Sequence, residues 1–196
     1  MTAQASSAHL IDLLRAEKPA AIVGSHNHAG DATVLVRREH LLDVAALLRD
    51  DPRVHMNFLS DVTAVDYLTY PEDCRSAVTP VDADSGFDPD ALPRFEVVYH
   101  FLSTIHGHRL RVKVLLDADD LLVPSLTPLW ISANWGEREA WDMYGVRFDG
   151  HPNLRRVLMY EEFVGHPLRK DYPLRGYQPL VQMPDLSDYD KFETFR

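Results

Sequence analysis

At 196 residues the chain has room for one domain with a real core plus an extension, and 45% hydrophobic and 26% charged residues are ordinary for a soluble globular protein. A formal net charge of −10 works against gripping nucleic-acid phosphates or an anionic bilayer, and no run approaches the roughly 18 apolar residues of a membrane span. The single cysteine, Cys74, excludes an intrachain disulfide and cannot supply the thiolates of an iron–sulfur cluster alone.

In chain order, the residues before Ala8 carry no basic side chain, so a secretory signal is not expected and the chain reads as cytoplasmic. Leu10, Ile11, Leu13 and Leu14 predict an amphipathic helix over Ala8–Lys18, ended by Pro19. Ala20–Gly24 and Thr33–Val36 read as strands joined by a polar, turn-prone stretch, and Glu39–Arg49 as a helix with a broad apolar stripe. A strand falls within Asn57–Tyr70. Pro71–Pro93, with six acids against Arg75 and four prolines, reads as a solvated, mobile loop. Phe95–Thr104 and Arg109–Leu116 are strands around a short hairpin connection. The longest helix lies within Pro124–Tyr144, with Thr127 as N-cap, Pro128 in its first turn and Gly145 as its stop.

The pattern predicts an α+β fold: one small domain over 1–147, its mixed or antiparallel sheet packed with helices, then an extended arm over 148–196. From His151 onward five prolines (Pro152, Pro167, Pro173, Pro179, Pro184) prevent long helices and central strands. Yet this arm is rich in Leu, Val, Tyr and Phe, and Gly136–Gly176 balances seven bases against seven acids. Such a segment is expected to lie on another surface.

Trp130, Ala133, Glu137, Trp141 and Tyr144 fall at helical spacing, which sets Glu137 in an apolar stripe. A carboxyl there either pairs with a cation, from the tail or a partner, or stays protonated as a general acid or base. Without an accompanying nucleophile or metal cluster the pairing is favoured. Arg138 and Asp142, four apart, are expected to pair on the wetter side. His26 with His28, and His106 with His108, each offer two imidazoles without a third ligand nearby. His151 and His166, each between Gly and Pro, read as turn histidines bonded to backbone.

The run Glu137-Arg138-Glu139-Ala140-Trp141-Asp142-Met143-Tyr144-Gly145-Val146-Arg147-Phe148-Asp149-Gly150-His151-Pro152-Asn153-Leu154-Arg155-Arg156 resembles the signature of the thirty-kilodalton, C-type subunit family of respiratory complex I (NADH:quinone oxidoreductase). Gly165-His166-Pro167-Leu168-Arg169-Lys170-Asp171-Tyr172-Pro173 resembles that family's second hallmark, and Trp130–Trp135 and Asp61–Tyr67 are similar to further family segments. The resemblance implies a non-catalytic subunit of the peripheral arm, on the cytoplasmic side of the inner membrane and without a membrane span. It implies no cofactor in this chain, with iron–sulfur clusters, FMN and quinone in partner subunits. The arm would wrap the quinone-site (forty-nine-kilodalton type) subunit near the iron–sulfur subunits, as a stand-alone chain not fused to the former. Arg155, Arg156, Arg169 and Lys170 would then meet partner carboxylates, with Arg169 exposed in the free subunit. The alternatives are the equivalent subunit of a membrane-bound energy-converting hydrogenase and a free-standing enzyme using Glu137.

Overall fold

A computed structural model describes residues 7–180, apart from 29, 90, 176 and 177. Helix α1 (Ala8–Glu17) buries Leu10, Ile11 and Leu14, the expected one-sided stripe. Strands β1 (Ile22–His28) and β2 (Asp31–Val36) form an antiparallel pair whose register runs to His28 opposite Asp31. The polar Ser25–His28 stretch is therefore strand, not turn. Polarity misled here because only half of this strand meets the core; the reversal needs just the residues around Gly30, whose φ is +89°.

Helix α2 (Leu41–Asp50) is followed by β3 (Phe58–Asp66), the short helix α3 (Glu72–Val78), β4 (Phe95–Leu102) and β5 (Arg109–Leu116). The five strands make one mixed sheet in the order β1-β2-β5-β4-β3, antiparallel except where β2 runs parallel to β5. The α+β class is as expected. Val34, Val36, Val97, Tyr99, Phe101, Val112, Val114, Val62 and Ala64 line its inner face, where Leu10, Leu14, Val44 and Leu48 from α1 and α2 join one cluster. Each such Val, Leu or Phe side chain contributes roughly 1.5–3 kcal/mol by leaving water.

Strand β6 (Leu122–Pro124) comes next, then α4 (Ala133–Tyr144) and β7 (Arg147–Asp149), and β6 pairs parallel with β7. Helix α4 begins later than Thr127. The Leu126 carbonyl accepts N–H bonds from Leu129 and Trp130, so Thr127-Pro128 form a separate turn. Trp130 accordingly leaves the helix face and donates its indole N–H to the Met56 carbonyl at 3.1 Å. The helix lies close on β3: a Cβ at Gly136 would stand 3.0 Å from the Val62 side chain.

Residues 71–93 are not the solvated loop their charge suggests. Besides α3, the segment buries Thr79 and Ser85, and Arg75 donates to the carbonyls of Leu92 and Pro93 while lying 4.5 Å over the Tyr67 ring. It covers part of the sheet's outer face, where Glu96 and Lys113 form a buried pair at 2.9 Å. Thr79 Oγ1 donates to Glu96 and Lys113 donates to the Val78 carbonyl, both at 2.9 Å. That buried ion pair has hydrogen-bonding capacity which only a packed segment fills.

Candidate docking site

The two motif blocks meet at the C-terminal end of α4. Asp142 is fully buried and binds Arg156 at 2.5 Å, and its Oδ2 accepts N–H bonds from Val157, Leu158 and Met159 at 3.1, 2.9 and 2.9 Å. Burial alone would push this carboxyl up, but the backbone donors and Arg156 outweigh it and hold it below its ordinary range. Asp142 thus pairs not with Arg138 on a wet face but inward with Arg156. Arg138 instead donates to the carbonyls of Arg155 and Arg156, both at 3.0 Å. The first block folds back upon itself.

The second block finishes the helix. Gly145, at φ +81°, ends α4 in a left-handed turn, and the last helical carbonyls need donors. His166 Nδ1 lies 3.0 Å from the Asp142 carbonyl oxygen, the Leu168 N–H donates to Met143 at 3.1 Å, and Arg169 Nε donates to Tyr144 at 2.6 Å. A cation at this end also suits the helix dipole. Arg169 further lies 5.4 Å over the Phe95 ring, so it is half-buried and not the exposed cation expected. Nearby, Asp66 takes both Arg94 (2.7 Å) and the Lys170 N–H (2.8 Å), and Arg94 also reaches Asp171 at 3.0 Å. Burial opposes the Asp66 charge, yet these donors bring its carboxyl down to about 2.

Three carboxylates, Asp142, Asp66 and Asp171, therefore clasp 155–172 to the domain. The boundary at 147 is corrected accordingly, because short irregular segments can dock through backbone donors without forming helix or strand. Asp66 and Arg94 lie outside the two principal motifs. Asp66 lies within the Asp61–Tyr67 segment, whereas Arg94 is a lone cation just before a strand and gives no pattern to find.

Glu137 stands apart from this clasp. It is fully buried and meets no cation among the described residues: Ser125 Oγ donates to it at 2.6 Å and the Leu126 N–H at 2.7 Å. Burial raises its carboxyl to about 7 against those two bonds. The expected arginine partner is replaced by the turn preceding α4, which folds back over the helix. His151 Nε2 lies 3.1 Å from the Asn134 carbonyl, and its Nδ1 accepts the Asn153 N–H at 3.0 Å. Glu139 and Pro167 are half-buried; Gly150, Pro152, Arg155, Gly165, Lys170, Asp171 and Pro173 face outward. The His106 and His108 rings stack 5.3 Å apart, and among the described residues no three His, Cys, Asp or Glu side chains group as a metal site.

While its polar groups are turned inward, the clasped segment shows apolar side chains outward: Val164 is 65% exposed, and Leu158 and Leu168 about half. Fold and site together define a small α+β domain with an irregular segment pinned across it, apolar side chains outward. Residues 34–178 match the model of the family described as respiratory-chain NADH dehydrogenase, 30 Kd subunit. The C-type subunit of NADH-quinone oxidoreductase from Roseiflexus sp. (strain RS-1) is 45% identical over 168 residues, 86% of this chain and 84% of that one. The same-named protein of Burkholderia multivorans is 43% identical over 173 residues, covering 88% and 79%. A trypsin-resistant fragment (1–134) of Nqo5 superposes with a TM-score of 0.58 at 31% identity, over 75% of this chain and 98% of the fragment. A chain of the membrane-bound sulfane sulfur reductase, an archaeal respiratory membrane complex, shares the fold at TM-score 0.58 and 18% identity, over 85% of each. The chain belongs to the 30-kilodalton subunit family of respiratory-chain NADH dehydrogenase. It is a subunit of the peripheral arm of complex I, and its partners are other subunits of that complex. No helix among the described residues is long and apolar enough to cross a membrane.

Proposed function

We propose that this subunit is a cofactor-free scaffold that rests its clasped segment on the quinone-site (forty-nine-kilodalton type) subunit, beside the iron–sulfur subunits, on the cytoplasmic side of the inner membrane. In this reading the iron–sulfur clusters, FMN and quinone belong to the partners, and this chain contributes geometry. The carrying observation is that Leu158, Val164, Leu168 and Leu174 are all exposed, while Arg156 and Arg169 are already bonded within the chain. Such a surface is pre-organised: the ordering entropy is lost on folding, which leaves more of the contact energy for association. The naming of the relatives as C-type subunits of NADH-quinone oxidoreductase supports complex I over the hydrogenase alternative. A free-standing enzyme is disfavoured because the Glu137 carboxyl is sealed in the core.

The test is purification through a tag on this chain, with mass spectrometry of what comes with it and cross-linking at Leu168. The expected result is a cross-link to the quinone-site subunit and no NADH or quinone turnover by the chain alone. Cross-links confined to other subunits, or a stoichiometric chromophore in the isolated chain, overturn the reading.

A further inference from the structure

Among the described residues, the outer face of the sheet is covered at one end only. Residues 78–80 lie over the row containing Lys113, whose Nζ donates to Val78. Beyond it the register sets His26, Thr33, Arg111, His100 and Asp61 side by side across all five strands. Arg111, His100 and Asp61 of this row, with Arg109 and Asp31, line an open groove of about 620 Å³. It lies five residues along β3 from Asp66, about 16 Å from the clasp at the strand rise of roughly 3.3 Å per residue.

The charges in this groove are unspent. Arg15, Arg38, Arg49, Arg53, Arg94 and Arg156 all pair with carboxylates of the chain. Arg109 and Arg111 form no ion pair among the described residues, although Asp31 and Asp61 line the same groove, and Arg111 has a single side-chain bond, 3.3 Å to Thr33 Oγ1. His26 Nε2, in the same row, is buried without a hydrogen-bond partner among the described residues. A half-buried guanidinium with open donors is built for bidentate contact with a planar anion.

The geometry points to this groove as a second docking site, occupied by an extended segment of a neighbouring subunit that places an Asp or Glu carboxylate on Arg111 and Arg109. A carboxylate fits better than a phosphate, because Asp31 and Asp61 repel a free multivalent anion but accept the backbone N–H groups or cations of a peptide. The half-exposed Phe58 and half-buried Leu102, neighbours in register, give the segment an apolar rim. The inference rests on complex I membership and adds a surface remote from the clasped segment.

The test uses the assembled complex, with Leu102 replaced by a photo-cross-linking phenylalanine derivative. The expected product is a partner peptide with an Asp or Glu within about three residues of the cross-link, since an extended chain rises about 3.3 Å per residue. Arg111→Glu is expected to leave the melting temperature of the free subunit unchanged and to lower incorporation about tenfold or more, a like-charge penalty at a contact. Should that variant unfold alone, Arg109→Glu, at an exposed position, gives the same readout. The inference fails if cross-links form only within this chain or to peptides without an acid. It also fails if both variants assemble normally, or if inorganic phosphate stabilises the free subunit while no partner cross-links. In those cases complex membership stands, because the Leu168 cross-link reads the other surface.

Discussion

Asp142 and Arg156 form a buried pair at 2.5 Å, and one carboxylate oxygen of the same aspartate caps three successive backbone N–H groups. This contact turns a proline-interrupted, apolar segment into part of the domain. Asp142→Asn keeps the shape but removes the charge, leaving Arg156 half-buried without its counter-ion. A loss of about 3–5 kcal/mol is expected for breaking such a pair from one side. Denaturant unfolding of the isolated chain measures it, with Arg138→Ala, which removes only bonds to carbonyls, expected to lose about 1 kcal/mol per bond.

Arg169→Ala is expected to weaken the free subunit as well as the assembly. The substitution removes the donor to the Tyr144 carbonyl and the stacking on Phe95. A cost of about 1–3 kcal/mol follows from a lost helix-end bond and a cation–π contact, or a fall of roughly 3–9 °C at this chain length. Calorimetry of the isolated chain is the measurement, and an unchanged midpoint contradicts the capping role.

Glu137 makes stability depend on pH in a defined direction. Its folded carboxyl titrates near 7, above the ordinary 4.5, chiefly through burial. Between those values the folded state keeps a proton that the unfolded state releases, so stability falls as pH rises, by up to about 3 kcal/mol in all. Below 4.5 both states are protonated and the effect ends. Glu137→Gln can accept from Leu126 and donate to Ser125, so it is expected to fold and to flatten the stability profile between about pH 5 and 7. A wild-type profile that is flat, or that rises with pH, across that interval contradicts the assignment once the other titrating groups are matched in the Gln variant.

Much of the fold was legible because periodicity reports burial. The alternation in Phe95–Leu102 and Arg109–Leu116 and the stripe in Leu41–Asp50 each predict the element observed. The reading failed where polar residues find partners that the local pattern does not reveal. Ser25–His28 reads as turn but is strand, Pro71–Pro93 reads as solvent but buries Thr79 against Glu96, and Thr127 reads as a cap but starts a turn. The motif blocks identify the family but not their own geometry. Nothing in spacing says that Asp142 chooses Arg156, fourteen residues on, over Arg138, four residues away. That choice depends on where the chain returns after Gly150 and on the burial that makes an unpaired carboxylate there so costly.

Segment 155–172 is pinned to the domain before any partner arrives. Residue-resolved hydrogen exchange of the free subunit tests it most directly, through the amides of Val157, Leu158 and Met159 on Asp142, Leu168 on Met143 and Lys170 on Asp66. All five are expected to exchange far more slowly than in an unstructured chain, and Asp142→Asn is expected to release the first three while Lys170, held by Asp66, stays protected. Exchange of all five at the unstructured rate in the free chain, with protection gained only in the complex, would show an arm that is ordered by its partner and contradict the account.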